Sequence, residues 1–180
     1  MPSDPGAGLY SGPGRGRPEK NRAPQRSGAS LPGDKSNTSQ PSRVELATAM
    51  KQQADDLMET HERLSGVWVD SDNARNVWIG NLEEVKECII SVRQKVNDCK
   101  AATKAGASLQ LKTAIRQLEE ELESSKAITE AAFRSLQVHD REGQFLQQSE
   151  LHSRSIKQLP KLSSRCNGLA RRLHGTHRSP

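Results

Sequence analysis

The side chains capable of chemistry in this sequence are three cysteines, five histidines and a few clustered carboxylates, and their spacing links few of them. Cys88, Cys99 and Cys166 form no Cys-x-x-Cys pair. Cys88 and Cys99 stand eleven residues apart. On a helix that is about three turns, so the two thiols would share a face yet lie too far apart to hold one ion. An odd number of widely spaced cysteines in a chain with no secretory leader reads as free, buried thiols. Cys166, His174 and His177 carry metal-ligating atoms, but a fourth ligand and zinc-site spacing are both missing. His61 falls on a helix seam described below, where a polar residue commonly fixes register. The other histidines are His139 and His152. Asp55, Asp56, Glu59 and Glu62 would line one helix face, and acid–base work there would need a pocket that the sequence does not suggest. No Gly-x-Ser-x-Gly, P-loop, Gly-x-Gly-x-x-Gly or His-Glu-x-x-His motif occurs. The sequence therefore assigns no catalytic, cofactor-binding or metal-ligating residue, and it points away from an enzyme.

Two basic tracts carry a different chemistry. Near the start lies Gly14-Arg15-Gly16-Arg17-Pro18, whose core of Arg15, Gly16, Arg17 and Pro18 resembles an AT-hook, a peptide that lies in the narrow minor groove of A·T-rich DNA. Narrow grooves carry enhanced negative potential that attracts inserted arginines. The resemblance covers about five residues and implies a DNA contact through those four. Glu19 departs from the basic flank usual in that motif and opposes phosphate contact, while Lys20, Arg22 and Arg26 partly restore it. At the other end, residues 151–180 hold seven basic residues and no acid. Leu159, Leu162, Leu169 and Leu173 fall on one side of that segment, so it reads as a basic amphipathic helix. Such a helix either completes a bundle or docks on an anionic membrane or an acidic partner. The 3–4 spacing of Leu162, Cys166, Leu169 and Leu173 favours completing a bundle.

These tracts flank a middle of opposite sign. Residues 1–42 carry six basic and three acidic side chains with seven Gly and seven Pro, residues 43–150 carry 14 basic and 19 acidic, and 151–180 carry a net +7. The overall +5 thus hides a polarity that could favour head-to-tail contact. Residues 1–42 contain too few burial-capable side chains to offset the entropy of ordering, and they are expected to be a disordered Gly/Pro/Arg-rich tail. Aromatics make up only 3% of the chain, too few to fill a wide core, whereas a helix seam needs only a narrow apolar stripe.

That stripe is present. Alternating steps of three and four residues pick out Ala47, Met50, Ala54, Leu57, His61, Leu64, Trp68, Ser71, Arg75, Trp78, Leu82, Val85, Ile89, Val92, Val96 and Cys99. Thirteen of the sixteen are apolar, where the composition alone would give about five. A strict seven-residue repeat implies helices packed as a left-handed coiled coil. The three exceptions cluster around Gly66, which can end a helix, and Asp70 or Asp72, which can cap the next. The expected helices are 43–64 and 72–104, then 109–140 with Leu111, Ile115, Leu118 and Leu122 on its seam. Lys104 to Ser108 forms the turn between them, with Gly106 as C-terminal cap and Ser108 as N-cap. Ser125 and Thr129 fall on the seam of the third helix, so packing there should be weaker. Gly143 precedes a fourth segment, 145–173, kinked or split at Pro160, and 174–180 is a short tail.

The expected fold is all-α: a coiled-coil helical hairpin or open three- to four-helix bundle behind a disordered tail. The partner-binding seam is expected at Leu57, Leu64, Trp68, Trp78, Leu82, Val85, Ile89, Val92 and Val96, continuing through Leu111, Ile115, Leu118 and Leu122. Its partners would be other helical proteins or a second copy. Nucleic acid through the basic ends, and peripheral membrane contact through 151–173, are the lesser alternatives. No apolar run reaches the roughly 18–20 residues of a membrane span, and no leader or lipidation signal is evident. The chain is thus expected inside the cell, in the cytoplasm rather than the nucleus. It is expected to be a non-enzymatic scaffolding subunit of a multi-protein complex, by analogy with the trafficking, cytoskeletal and centrosomal assemblies built from such chains. Its alternative is a chromatin- or nucleic-acid-associated protein that dimerises through the seam.

Overall fold

The first three stretches of 3–4 periodicity each become one helix and the fourth becomes two. The computed structural model describes residues 40–67, 73–104, 106–138 and 144–175. Among them are α1 (Arg43–Ser65), α2 (Ala74–Thr103), α3 (Leu109–Gln137), α4 (Gln144–Ile156) and α5 (Leu159–Gly175). Residues 1–39 of the expected 1–42 tail, the AT-hook-like Arg15 to Pro18 within them, Trp68, Asp70, Asp72, Gly143 and residues 176–180 lie outside the described residues.

The helix ends follow from local chemistry. Ser42 opens α1 with a reciprocal cap: its hydroxyl accepts from the Glu45 N–H at 3.2 Å while its own N–H donates to the Glu45 carboxylate at 2.6 Å. The backbone N–H of Ser42, and then its hydroxyl, hold the Glu45 carboxyl below its ordinary pKa. Gly66 closes α1 as expected, but in a right-handed conformation with φ −86° and its N–H on the Glu62 carbonyl. Gly106 is the position that requires glycine, with φ +126°. Ser108 caps α3 by accepting from the Leu111 N–H at 3.2 Å.

Pro160 splits the fourth segment outright. Proline has no N–H and is tolerated only where a helix needs none, in its first turn. The chain accordingly tightens at Lys157–Gln158, where the Gln158 N–H reaches Ser155 at 3.1 Å, and restarts as α5 with Pro160 as its second residue. The second helix begins at Ala74 behind Asn73, which makes no side-chain cap bond, and the third ends at Gln137 rather than 140. The last helix runs on to Gly175, into the expected tail.

Lateral contacts set the topology. Arg63 pairs with Glu84 and Gln53 accepts from Ser91 at 2.6 Å, so α1 and α2 are antiparallel. Arg93–Glu123 at 2.6 Å and Lys100–Glu119 at 2.7 Å align α2 against α3. Thr129–Ser155 at 2.7 Å and Arg165–Gln117 at 3.3 Å run α4 and α5 in series back along α3. The Ser163 hydroxyl donates to the Ala54 carbonyl at 2.8 Å, closing α5 onto α1. The result is an up-down-up-down four-helix bundle whose fourth arm is the broken pair α4–α5.

Two clusters fill its interior. The larger is mainly aliphatic and draws on α1, the later part of α2, the first half of α3, Ile156 at the end of α4, and α5. The smaller joins Ala74, Trp78, Leu82, Ala132 and Leu136, with Ile79, Phe133 and Leu151 packed against it. No residue of α1 belongs to the second cluster. This follows from length: α2 and α3 run for 30 and 29 residues, α1 for 23.

Candidate functional site

Every apolar seam position among the described residues faces inward. Leu57, Leu64, Trp78, Leu82, Val85, Ile89, Val92, Val96, Leu111, Ile115, Leu118 and Leu122 are all 8% exposed or less. What covers them is the chain itself, above all Leu159, Leu162, Cys166, Leu169 and Leu173, each fully enclosed. The strip expected to meet a partner is therefore closed within one chain. Fully burying a leucine is worth about 1.5–3 kcal/mol, so opening this strip would cost far more than one contact returns.

The weak seam positions prove to be a polar layer. Ser125, Thr129 and Ser155 are fully enclosed, with the Thr129 hydroxyl on the Ser125 carbonyl at 2.9 Å and against the Ser155 hydroxyl at 2.7 Å. The Ser125 hydroxyl has no partner among the described residues. These small side chains leave the α2–α3 wall short of volume, and a groove of about 240 Å³ opens beside them. Ile89, Thr129 and Phe133 line its floor, and Lys86, Arg93, Lys126 and Glu130 its rim. Ile90, half exposed, stands on its α2 wall. Lys126 lies 3.7 Å from Glu130 and Arg93 2.6 Å from Glu123, whereas Lys86 joins no ion pair among the described residues.

The three-helix end holds the buried histidine. His152 stacks on Trp78 with ring centroids 5.4 Å apart, and Phe145 meets Trp78 at 5.0 Å, tilted by 37°. The His152 Nε2 is 3.1 Å from the Asn81 amide nitrogen, an arrangement in which the neutral ring accepts. Burial pushes the imidazole down to about 4. Neither His152 nor Asn81 was singled out by the sequence. The available signal was their helical spacing from Ser155 and Val85, which puts both on inward faces.

The remaining candidates are scattered. Cys99 and Cys166 lie in the aliphatic core, where burial pushes their thiols up to about 11 and about 12. Such thiols hold little thiolate at neutral pH. Cys88 is half-buried against Thr60, its thiol also raised by burial. Because Cys166 is enclosed while His174 is exposed, those two share no site, and His177 lies outside the described residues. His61 is half-buried with its Nδ1 unpartnered among them. Asp55, Asp56, Glu59 and Glu62 are all exposed, with Asp55 3.5 Å from Lys51. Among the described residues no three His, Cys, Asp or Glu side chains gather as metal ligands, and no helix is long and apolar enough to cross a membrane.

The fold and surface together define an all-α, up-down-up-down bundle with an apolar groove on one wall and a cationic arm on another. No family model, curated protein or solved structure matches this chain.

Proposed function

We propose that this chain is a non-enzymatic interaction protein, a small scaffolding subunit of a cytoplasmic multi-protein complex, which receives a partner's helix in the α2–α3 groove. The observation that carries the reading is Ile90, 50% exposed beside a groove in a bundle that otherwise encloses its seam. An amphipathic helix with two large apolar side chains one turn apart fits such a groove. The rim, with three cations against Glu130, favours acidic residues flanking those anchors. Charge of this kind selects the partner and its orientation more than it adds affinity.

The reading is tested on the tagged full-length protein isolated from cells at its natural level. It should sediment as a stoichiometric complex, and a photo-crosslinking side chain at position 90 should give one discrete adduct. Ile90→Asp, at an exposed site, should leave helicity intact and weaken association at least tenfold, about 1.4 kcal/mol. A protein that sediments alone, or a complex indifferent to Ile90→Asp, would overturn it.

A further inference from the structure

The exposed edge of α4–α5 carries charge of one sign only. Arg154, Lys157, Lys161, Arg165, Arg171 and Arg172 are all exposed. Their spacing follows the helical repeat, so they form a stripe along the arm, closed at its start by Glu150. From Leu151 to Gly175 there is no acidic residue. None of the six joins an ion pair among the described residues, although every other long helix of the bundle has its cations matched in part. Among the described residues Arg165 bonds the neutral Gln117 side chain at 3.3 Å, and Arg172 the Gly168 carbonyl at 3.1 Å.

The setting narrows the ligand. An open cleft of about 390 Å³ beside the stripe is lined by Arg171 and Arg172 with Ser108, Gln110, Gly168 and Gly175, and by no acid. Arginine with hydroxyl and amide neighbours is the donor set that proteins turn toward phosphate oxygens. Four of the six cations are arginine, whose fork matches phosphate bidentately. The stripe runs 18 residues from Arg154 to Arg172, about 27 Å, or about eight phosphate steps of one strand at roughly 3.4 Å each. The apolar side chains of these turns, Ile156, Leu159, Leu162, Leu169 and Leu173, are all committed to the core. A membrane-bound helix would instead insert such side chains among the lipids. A second, separate cleft toward α1, lined by Met58 and Arg171 among others, lies one turn from the acidic Asp55 and Glu62, whereas the Ser108–Gln110 edge of α3 carries no acid, so a polyanion is steered to that edge.

We infer that the α4–α5 stripe, with the Ser108–Gln110 edge of α3, binds the phosphate backbone of duplex nucleic acid without reading its sequence. This surface is separate from the α2–α3 groove and stands whether or not the groove holds a partner.

The test is a titration of the full-length protein with a fluorescent 20-base-pair duplex at several salt concentrations, beside vesicles of mixed phosphatidylserine and phosphatidylcholine. Binding should be independent of duplex sequence, and its logarithm should fall with log salt at a slope of about −5, near −0.9 for each phosphate neutralised. Arg165→Glu/Arg171→Glu/Arg172→Glu, with circular dichroism to verify the fold, should reduce low-salt affinity at least tenfold and roughly halve the slope. Arg15→Ala/Arg17→Ala, in the tail, and Ile90→Asp, in the groove, should each change duplex affinity less than threefold. Absence of duplex binding at low salt, full binding by the triple variant, or capture by vesicles alone would each overturn the assignment.

Discussion

From Val85 to Cys99 the core-facing side of α2 packs into a cluster of aliphatic and sulfur-bearing side chains, without a ring, shared with α1, α3, α5 and the last residue of α4. Over the turns from Ala74 to Leu82 its cluster partners among the described residues come from α3 and α4, and the character of the core changes. The four-helix body is filled by leucine, valine, alanine and methionine, small enough for helices to approach until the Ser163 hydroxyl touches the Ala54 carbonyl. The three-helix end lacks α1, and it makes up the missing volume with large rings: Trp78, Phe145 and His152. Stacked rings gain about 0.5–1.5 kcal/mol beyond the area they bury, but a ring with a titratable nitrogen also ties that end to pH. Where helices are plentiful, narrow side chains suffice; where one is missing, wide ones are recruited, and Phe145 remains 44% exposed even so.

The sharpest way to break this contrast is a charge in the body. Val92 is fully enclosed, and Val92→Asp buries an unpaired carboxylate at a cost of several kcal/mol, about 4. Helicity should be lost throughout, measured by circular dichroism and urea denaturation; a folded variant would mean that the aliphatic body is not what holds the helices. Trp78→Ala should cost about 3 kcal/mol and act more locally. Hydrogen exchange should quicken in α4 and in the first turns of α2 while the Val85–Val96 amides stay protected, whereas uniform loss of protection would make the two regions one cooperative unit.

The gentlest probe is acid. The His152 pKa is lowered from 6.5 to about 4 by burial, so the unfolded chain takes up this proton first. The stability that neutral His152 contributes is complete above pH 6.5 and is lost as pH falls toward 4, at most about 3 kcal/mol. His152→Gln should flatten that part of the stability-versus-pH curve. An unchanged curve would show that the ring is hydrated rather than enclosed.

Much of this architecture is written in periodicity. The 3–4 pattern locates α1, α2 and α3 to within a few residues because each helix must hide one stripe, and all twelve described apolar seam positions from Ala47 to Cys99 are buried. What covers the stripe is not legible in the same way. A period shows that Leu57 needs a neighbour without showing whether that neighbour is a second chain or Leu162, more than a hundred residues on. The Ser42–Glu45 cap was readable, since Ser-Arg-Val-Glu before an apolar run is a capping-box signature. The hydroxyl layer was half readable: Ser125 and Thr129 break the leucine pattern, but only the placement of Ser155 turns two gaps into a bonded cluster. For the groove, sequence held the clue in Ile90, a large apolar residue one position off the seam, which has no meaning until α3 is known to lie alongside.

The contact between Ser163 and Ala54 spans 109 positions of chain, and that distance has a consequence during synthesis. At about 5–20 residues per second, α1 leaves the ribosome roughly 5–20 seconds before α5 exists to cover it. Local hairpins such as α2–α3 form in microseconds to milliseconds, so they wait on translation and not on diffusion. For those seconds Met50, Ala54 and Leu57 lack the cover that α5 later gives them, so the exposure of this strip is set by the pace of synthesis.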